Sequence, residues 1–126
     1  MKVLTDAGLF LAGDGATYRE HLRVPFLSLG TYSIPAGGRD PQNPHTEDEV
    51  YVVLGGHGRL WTPQGSVEVE CGSVVFVPAG EEHRFIDIDR DLTVLVIFGP
   101  AEHTAGNQQS TALQVDDDDQ AEAEIG

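Results

Sequence analysis

The sequence predicts an all-β domain, and two observations support this prediction. Glycine and proline recur so often over residues 13–100 that no helix of ordinary length fits between them. The stretches that remain are short and rich in β-branched and aromatic residues, which favour strands. Many short strands joined by tight turns are typical of a β-sandwich or β-barrel, whereas a parallel α/β fold would need helical segments that this sequence lacks.

The predicted strands follow one another with a turn signal between each pair. In chain order they are residues 26–34, 50–54, 58–61, 66–70, 74–77, 84–88 and 92–98. Glycine and proline in the intervening segments supply the backbone conformations that tight turns require. Residues 18–22 are a further candidate strand at the start of the domain.

Composition limits the size and the class of the protein. A chain of 126 residues with 40% hydrophobic residues can build one core and is short for two. Seven Lys and Arg residues against 21 Asp and Glu residues give a net charge of -14, which argues against nucleic acid or an anionic membrane as partner.

The cysteine count and the hydropathy bear on where the protein is found. The single cysteine, Cys71, excludes an internal disulfide and a Cys-based zinc site and favours a reducing compartment. The chain shows no signal-peptide pattern and no apolar run near the roughly 20 residues of a membrane helix. We therefore expect a cytoplasmic protein.

Two of the five histidines stand beside features that predict a site. Glu49 directly precedes a predicted strand, and if it faces the interior, Tyr51 and Val53 share its face because strand side chains alternate. A lone buried carboxylate needs a cation or a hydrogen-bonding partner, and His45 lies four residues before it. His83 closes a turn and starts a strand on which Phe85 and Asp87 are expected to share its face.

The spacing of these residues resembles that of the cupin family. The first cupin motif, G-x5-H-x-H-x3-E-x6-G, is matched by Gly37, Asn43, His45, Glu49 and Gly56, with asparagine in place of the first histidine. The second motif, G-x5-P-x-G-x2-H-x3-N, is matched by Gly72, Pro78, Gly80, His83 and Asp87, with aspartate in place of asparagine. The resemblance implies a double-stranded β-helix, also called a jelly-roll barrel, over residues 16–103.

The resemblance also implies a divalent transition metal inside the barrel, with His45, Glu49 and His83 as ligands and Asn43 at the fourth place. An amide oxygen is a poorer ligand than imidazole, so Asn43 would bind loosely, hold a metal-bound water or stay outside the coordination shell. The neighbouring Gln42 substitutes only if the loop turns it inward. Fe, Mn, Ni, Zn and Cu all suit this ligand set. The alternative to metal binding is that these residues form a buried polar network without a metal.

The motifs and the composition together are consistent with two classes of function. The first is a metal-dependent enzyme, dioxygenase-like, acting on a small organic molecule in a pocket lined by Tyr51, Trp61, Phe85 and Gln42. An isomerase is a weaker form of this class, because His21 with Asp87 is the one conceivable acid-base pair. The second class is a non-catalytic metal-binding or ligand-binding sensor.

The regions outside the barrel carry separate predictions. Residues 1–15 form an N-terminal segment that we expect to be an edge strand or a strand swapped in a homodimer. Residues 104–126 are too polar and acidic to build a core and predict a flexible acidic tail. His57 and His103 are interpreted as histidines making ordinary hydrogen bonds.

Overall fold

The computed structural model describes residues 1–103, and within them the chain is built from six antiparallel strands without a helix. The strands are Thr17–Val24 (β1), Leu27–Ile34 (β2), Asp48–Thr62 (β3), Gly65–Glu70 (β4), Val74–Val77 (β5) and Arg84–Gly99 (β6). They pair in the order β1-β2-β6-β3-β4, and β5 pairs with β3. The all-β prediction is confirmed. No helix capable of crossing a membrane occurs in this part of the chain.

The two longest strands, β3 and β6, each replace two predicted strands. Their pairing shifts register between Val53 and Gly55, between Gly55 and His57, and between His57 and Arg59. Such irregularities bend a strand without ending it. Gly56 adopts a φ of 93°, which glycine tolerates without strain. The glycines after residue 54 therefore form bulges in a continuous strand, not the turn that their composition predicts.

The core lies between the inward faces of the curved strands. On β3, the side chains of Glu49, Tyr51 and Val53 are 1%, 0% and 1% exposed, whereas Leu54 is 37% exposed. The predicted alternation along this strand is thus confirmed, and Glu49 enters an otherwise apolar wall. Within residues 1–103, the buried members of the hydrophobic core cluster are Tyr18, Tyr32, Ile34, Tyr51, Val53, Leu60, Val69, Val77, Phe85, Ile88, Leu92, Val94, Val96 and Phe98.

The N-terminal segment, residues 1–15, contains no strand and lies against β2 of its own chain. The Leu11 amide donates to Ser33 Oγ at 2.9 Å, and Thr31 Oγ1 donates to the Ala7 carbonyl. These contacts cover the outer side of β2, where Thr31 and Ser33 are buried. The predicted strand exchange in a homodimer stays a prediction, and the predicted tail, residues 104–126, lies outside the described residues.

Candidate metal centre

The three predicted ligands lie near one another inside one end of the barrel. Glu49 enters from β3, His83 directly precedes β6, and His45 lies in the loop between β2 and β3; they are 1%, 2% and 7% exposed. Glu49 Oε1 is 3.1 Å from His83 Nε2, and the ring centroids of His45 and His83 are 6.3 Å apart. The Gly80 amide donates to the His45 carbonyl at 2.6 Å, so the loops that carry the two histidines are tied together.

The orientation of the His83 ring is set by the backbone. Its Nδ1 lies 2.7 Å from the Glu81 carbonyl oxygen, which only accepts, so Nδ1 carries a proton and donates. Nε2 consequently faces the interior, 3.0 Å from the Tyr51 hydroxyl and close to Glu49. A metal-bound histidine is usually held in this way, with the second ring nitrogen donating to a carbonyl or carboxylate.

Burial governs the protonation of the cluster. Burial raises the pKa of Glu49, and His83 and Tyr51 offset this only in part. Burial lowers the pKa of His83, but its contacts with Glu49 and with the Glu81 carbonyl outweigh burial and the net shift is upward. Burial, and then the charges of His83 and His103, lower the pKa of His45 to about 3. His45 is therefore neutral at pH 7, the form that binds metals.

The amide next to the three ligands comes from Gln42 and not from Asn43. Asn43 is exposed, whereas Gln42 is 4% exposed and its Oε1 accepts from the Tyr51 hydroxyl at 3.1 Å. The loop therefore turns Gln42 inward, which was the condition for it to substitute. The structure does not bring Asn43 into the cluster.

Asp40 organises this loop, although it belongs to neither motif and no pattern singles it out. Its Oδ1 accepts hydrogen bonds from Tyr32 Oη at 2.5 Å and from the backbone N–H of Gln42 at 3.1 Å. Its Oδ2 accepts from Gln42 Nε2 at 2.5 Å and from the Phe85 amide at 2.7 Å. Asp40 thus fixes Gln42 and joins the loop to the start of β6.

The predicted pocket residues divide between two faces. Phe85 is buried and packs against Tyr51 with ring centroids 4.9 Å apart. Trp61 instead follows the inward Leu60 on β3, so it lies on the outer face, with the Arg84 guanidinium 5.1 Å from its ring centre. The prediction that Trp61 lines the pocket does not hold, because the bulges in β3 shift the alternation of side chains after residue 54.

The conceivable acid-base pair is not formed. His21 Nε2 is 2.8 Å from Thr31 Oγ1, on the side of β2 that the N-terminal segment covers. Asp87 is exposed and has a φ of 52°, a left-handed backbone conformation, so it does not continue the buried face of His83 and Phe85. Both the pairing of His21 with Asp87 and the shared face of Asp87 are corrected by the structure.

A second group of titratable residues, Glu102 and His103, adjoins His45. Glu102 Oε2 is 3.8 Å from His45 Nδ1 and 3.4 Å from His103 Nε2. Burial, followed by the charges of Glu20, Glu49 and Glu47, raises the pKa of Glu102 to about 9. Sequence reasoning missed this carboxylate, and the only signal was an acid next to a histidine directly after the last strand.

The donor set fits a transition metal in its chemistry. Two imidazoles and one carboxylate are suitable ligands, and neither oxygen of the buried Glu49 has a well-aligned hydrogen bond within residues 1–103. In the same residues, no group of three or more His, Cys, Asp or Glu side chains is arranged to hold an ion. The ligands thus lie side by side without converging on one point.

An open cavity lies beside Asp40 and Phe85, and none of the three predicted ligands is among its lining residues. It has a volume of about 310 Å³ and is lined by residues that include Arg39, Asp40, Arg84 and Phe85. A cavity of this size accepts a small molecule. Asp40 and Phe85 belong both to this cavity and to the hydrogen-bond network around Gln42.

Solved structures share the fold of this chain. A cupin protein of Desulfovibrio desulfuricans superposes with a TM-score of 0.68 and 20% identity, covering 80% of this chain and 98% of that one. The DMSP lyase DddQ of Ruegeria pomeroyi superposes with a TM-score of 0.63 and 22% identity over 68% of this chain. This chain spans about half of DddQ, 47% of its length. The jelly-roll barrel implied by the two motifs is confirmed.

Sequence comparison identifies the family. An uncharacterized protein of Streptomyces coelicolor is 46% identical over 91 residues, which are 72% of this chain and 86% of that protein. The family profile described as Cupin domain matches residues 30–98, which contain both motifs and all three predicted ligands. The chain therefore belongs to the cupin domain family.

Proposed function

We propose that this protein binds one divalent transition metal through His45, Glu49 and His83. The observation that carries the proposal is the Glu49 carboxylate, which is 1% exposed and lacks a well-aligned hydrogen bond within residues 1–103. The buried His83 ring lies 3.1 Å from it, and the His45 ring lies next to that of His83, with centroids 6.3 Å apart. Burying an ionised carboxylate is costly unless a cation or several hydrogen bonds compensate. Two imidazoles and one carboxylate are suitable ligands for Fe, Mn, Ni, Zn and Cu. The amide next to these ligands comes from Gln42 instead of Asn43.

We further propose that the bound metal serves catalysis on a small organic molecule, in a dioxygenase-like reaction. The metal would supply a Lewis acid or an oxygen-activating centre. The chain's own residues orient and enclose the site: the Glu81 carbonyl fixes the His83 ring, and Asp40 fixes Gln42. The family's barrel supports enzymes, as the name of DddQ states for that protein, and the cavity beside Asp40 and Phe85 would admit the substrate.

Metal content tests the first proposal. Protein expressed with supplemented Fe, Mn, Ni, Zn or Cu and purified without chelator is analysed for its elements, beside His45→Ala, His83→Ala and the control His21→Ala. His21 is a matched control because it is a partly buried histidine remote from the cluster. We expect about one metal per chain in the parent and in the control, and little in the other two variants. A metal-free parent under all five conditions would refute the proposal.

Catalysis is tested separately on the iron-loaded protein. Oxygen uptake is measured across a panel of small carbonyl and aromatic compounds, with Glu49→Gln as the inactive reference. Uptake that depends on one compound class and disappears in Glu49→Gln supports the dioxygenase-like reaction.

The second candidate function is a non-catalytic metal or ligand sensor. It is favoured by the cavity beside Asp40 and Phe85, because none of the three predicted ligands lines it and a substrate there would not touch the metal. Tight metal binding with no turnover across the panel would select it. Cytoplasmic location and assembly as a homodimer stay predictions. Light scattering on the protein as it elutes from a size-exclusion column measures its molar mass and so tests the homodimer.

A further inference from the structure

The segment after β6 places a carboxylate beside His45, outside both motifs and outside the matched residues 30–98. Its backbone is fastened to the first hairpin of the barrel. The Glu102 amide donates to Ser28 Oγ at 2.8 Å, and Arg23 Nη1 donates to the Glu102 carbonyl at 2.8 Å. The Ala101 amide donates to the Pro25 carbonyl at 3.4 Å. These contacts fix the position of Glu102 without using its side chain.

The Glu102 side chain is 0% exposed, and neither carboxylate oxygen has a hydrogen-bond partner among residues 1–103. A buried polar group without a partner costs about 1–3 kcal/mol, and more if it is charged. The nearest basic atoms are the two ring nitrogens named above, Nδ1 of His45 and Nε2 of His103. A fold that buries such a group at a fixed place indicates a use for it.

The surroundings of His83 suggest the role of this carboxylate. Its Nδ1 donates to a carbonyl, which leaves Nε2 for the interior. His45 also has an acceptor on its Nδ1 side, at 3.8 Å, slightly beyond hydrogen-bond range. A cation bound to the other ring nitrogen would make the Nδ1 proton a stronger donor and give Glu102 the partner it lacks.

We propose that Glu102 is the positioning residue of His45: it accepts the Nδ1 proton and so reserves Nε2 for the metal. The inference rests on the proposed metal centre. It makes the segment after the last strand a part of that centre, although neither motif includes it.

The test compares three variants of the full chain by calorimetric titration with Zn²⁺. Outer carboxylates of this kind change metal affinity by about 10–100-fold. We expect Glu102→Leu to weaken Zn²⁺ binding by about that factor. Glu102→Gln retains a carbonyl oxygen and should stay within a few-fold of the parent. The control Glu70→Gln removes an exposed carboxylate from β4 and should bind as the parent does.

A second measurement separates positioning from a general loss of structure. In the Zn²⁺-loaded parent, nitrogen NMR should show a proton on Nδ1 and zinc on Nε2 of His45. In Zn²⁺-loaded Glu102→Leu, the same ring should show a mixture of arrangements, while the His83 signals stay unchanged. A His103→Ala variant with parental affinity would show that Glu102 does not act through His103.

The outcomes separate the two proposals. If the parent binds Zn²⁺ and Glu102→Leu binds it equally tightly with the same His45 signals, the positioning role is wrong and the metal centre stands. If His103→Ala weakens binding as much as Glu102→Leu does, the assignment of Glu102 to His45 is wrong. If the parent and the control bind no metal, the proposed centre fails and the positioning role fails with it.

Discussion

Glu49 is a carboxylate buried in an apolar wall next to His83, and Gln42, not Asn43, supplies the buried amide of this cluster. The inward direction of Glu49, Tyr51 and Phe85 follows from strand alternation and the motifs, and the structure confirms it. The burial of Gln42 in place of Asn43 was not predictable, because both side chains lie in a loop that has no repeating pattern of inward and outward positions. Here the burial of Gln42 depends on Asp40, whose four accepted hydrogen bonds come from residues far apart in sequence.

Removing the Asp40 carboxylate should destabilise the fold. Asp40→Ala leaves Tyr32 Oη, Gln42 Nε2 and two backbone amides without their acceptor, so we expect a loss of about 3 kcal/mol or more in the free energy of unfolding. Asp40→Asn keeps one acceptor oxygen and should fall between this variant and the parent. Denaturant titration measures both. Asp14→Ala, at an exposed position, is the control and should stay within about 0.5 kcal/mol of the parent. An Asp40→Ala value equal to that of the control would show that the network adds nothing.

His57 provides a pH prediction away from the proposed centre. Its Nε2 is 2.5 Å from Glu68 and its Nδ1 is 2.7 Å from Asp89, and these hydrogen bonds raise its pKa. Because the folded-state pKa lies above the unfolded value of about 6.5, the stabilisation is complete below that pH and is lost as the pH rises through the folded pKa. An NMR titration should give His57 a higher pKa than His21, because burial and the charge of Arg19 lower the pKa of His21. In Glu68→Gln the His57 pKa should fall, and a titration unchanged by that substitution would contradict the ion pair.

The sequence predicts the positions of the strands but not the continuity of β3 and β6. The glycines after residue 54 look like a turn, yet β3 runs from Asp48 to Thr62. A bulge and a turn use the same residue types, and only pairing with a partner strand separates them. The bulges within this strand shift Trp61 to the outer face, so one unforeseen feature of β3 explains the misplaced pocket residue.

The packing of β1 on β2 is tested by a single methyl group. A Cβ on Gly30 would overlap the ring of Tyr18, which is 0% exposed. Gly30→Ala should therefore cost about 1–3 kcal/mol of unfolding free energy, the usual cost of overpacking. Gly55→Ala is the matched control, because Gly55 also lies in a strand and a Cβ there meets nothing within 4 Å. Equal stabilities of the two variants by denaturant titration would mean that Tyr18 moves aside without cost.

The net charge of -14 bears on solubility more than on function. Asp and Glu from Asp116 onward contribute six of these negative charges, which leaves -8 for the rest of the chain, since 14 less 6 is 8. The barrel brings His45, Glu49, His83 and Glu102 near one another at one end, from two loops, β3 and the segment after β6. The motifs predicted the first three because their spacing is fixed. They could not predict Glu102, whose place depends on contacts with β1 and β2.

Metal binding should stabilise the whole domain. A ligand that binds only the folded state at 100 times its Kd adds about 2.7 kcal/mol, roughly 10 °C or more in Tm for a domain of this size. Calorimetric melting with and without Zn²⁺ measures the shift, and His45→Ala should abolish most of it. An equal rise in Tm for the parent and His45→Ala would place the metal elsewhere.

The most direct measurement is an anomalous difference map from crystals grown with Zn²⁺ and collected above and below the zinc absorption edge. The proposed centre predicts one strong peak inside the barrel, about 2.0–2.2 Å from a nitrogen of His45, a nitrogen of His83 and an oxygen of Glu49. A map without a peak among these three side chains, from crystals that bind Zn²⁺ elsewhere or not at all, would contradict the account.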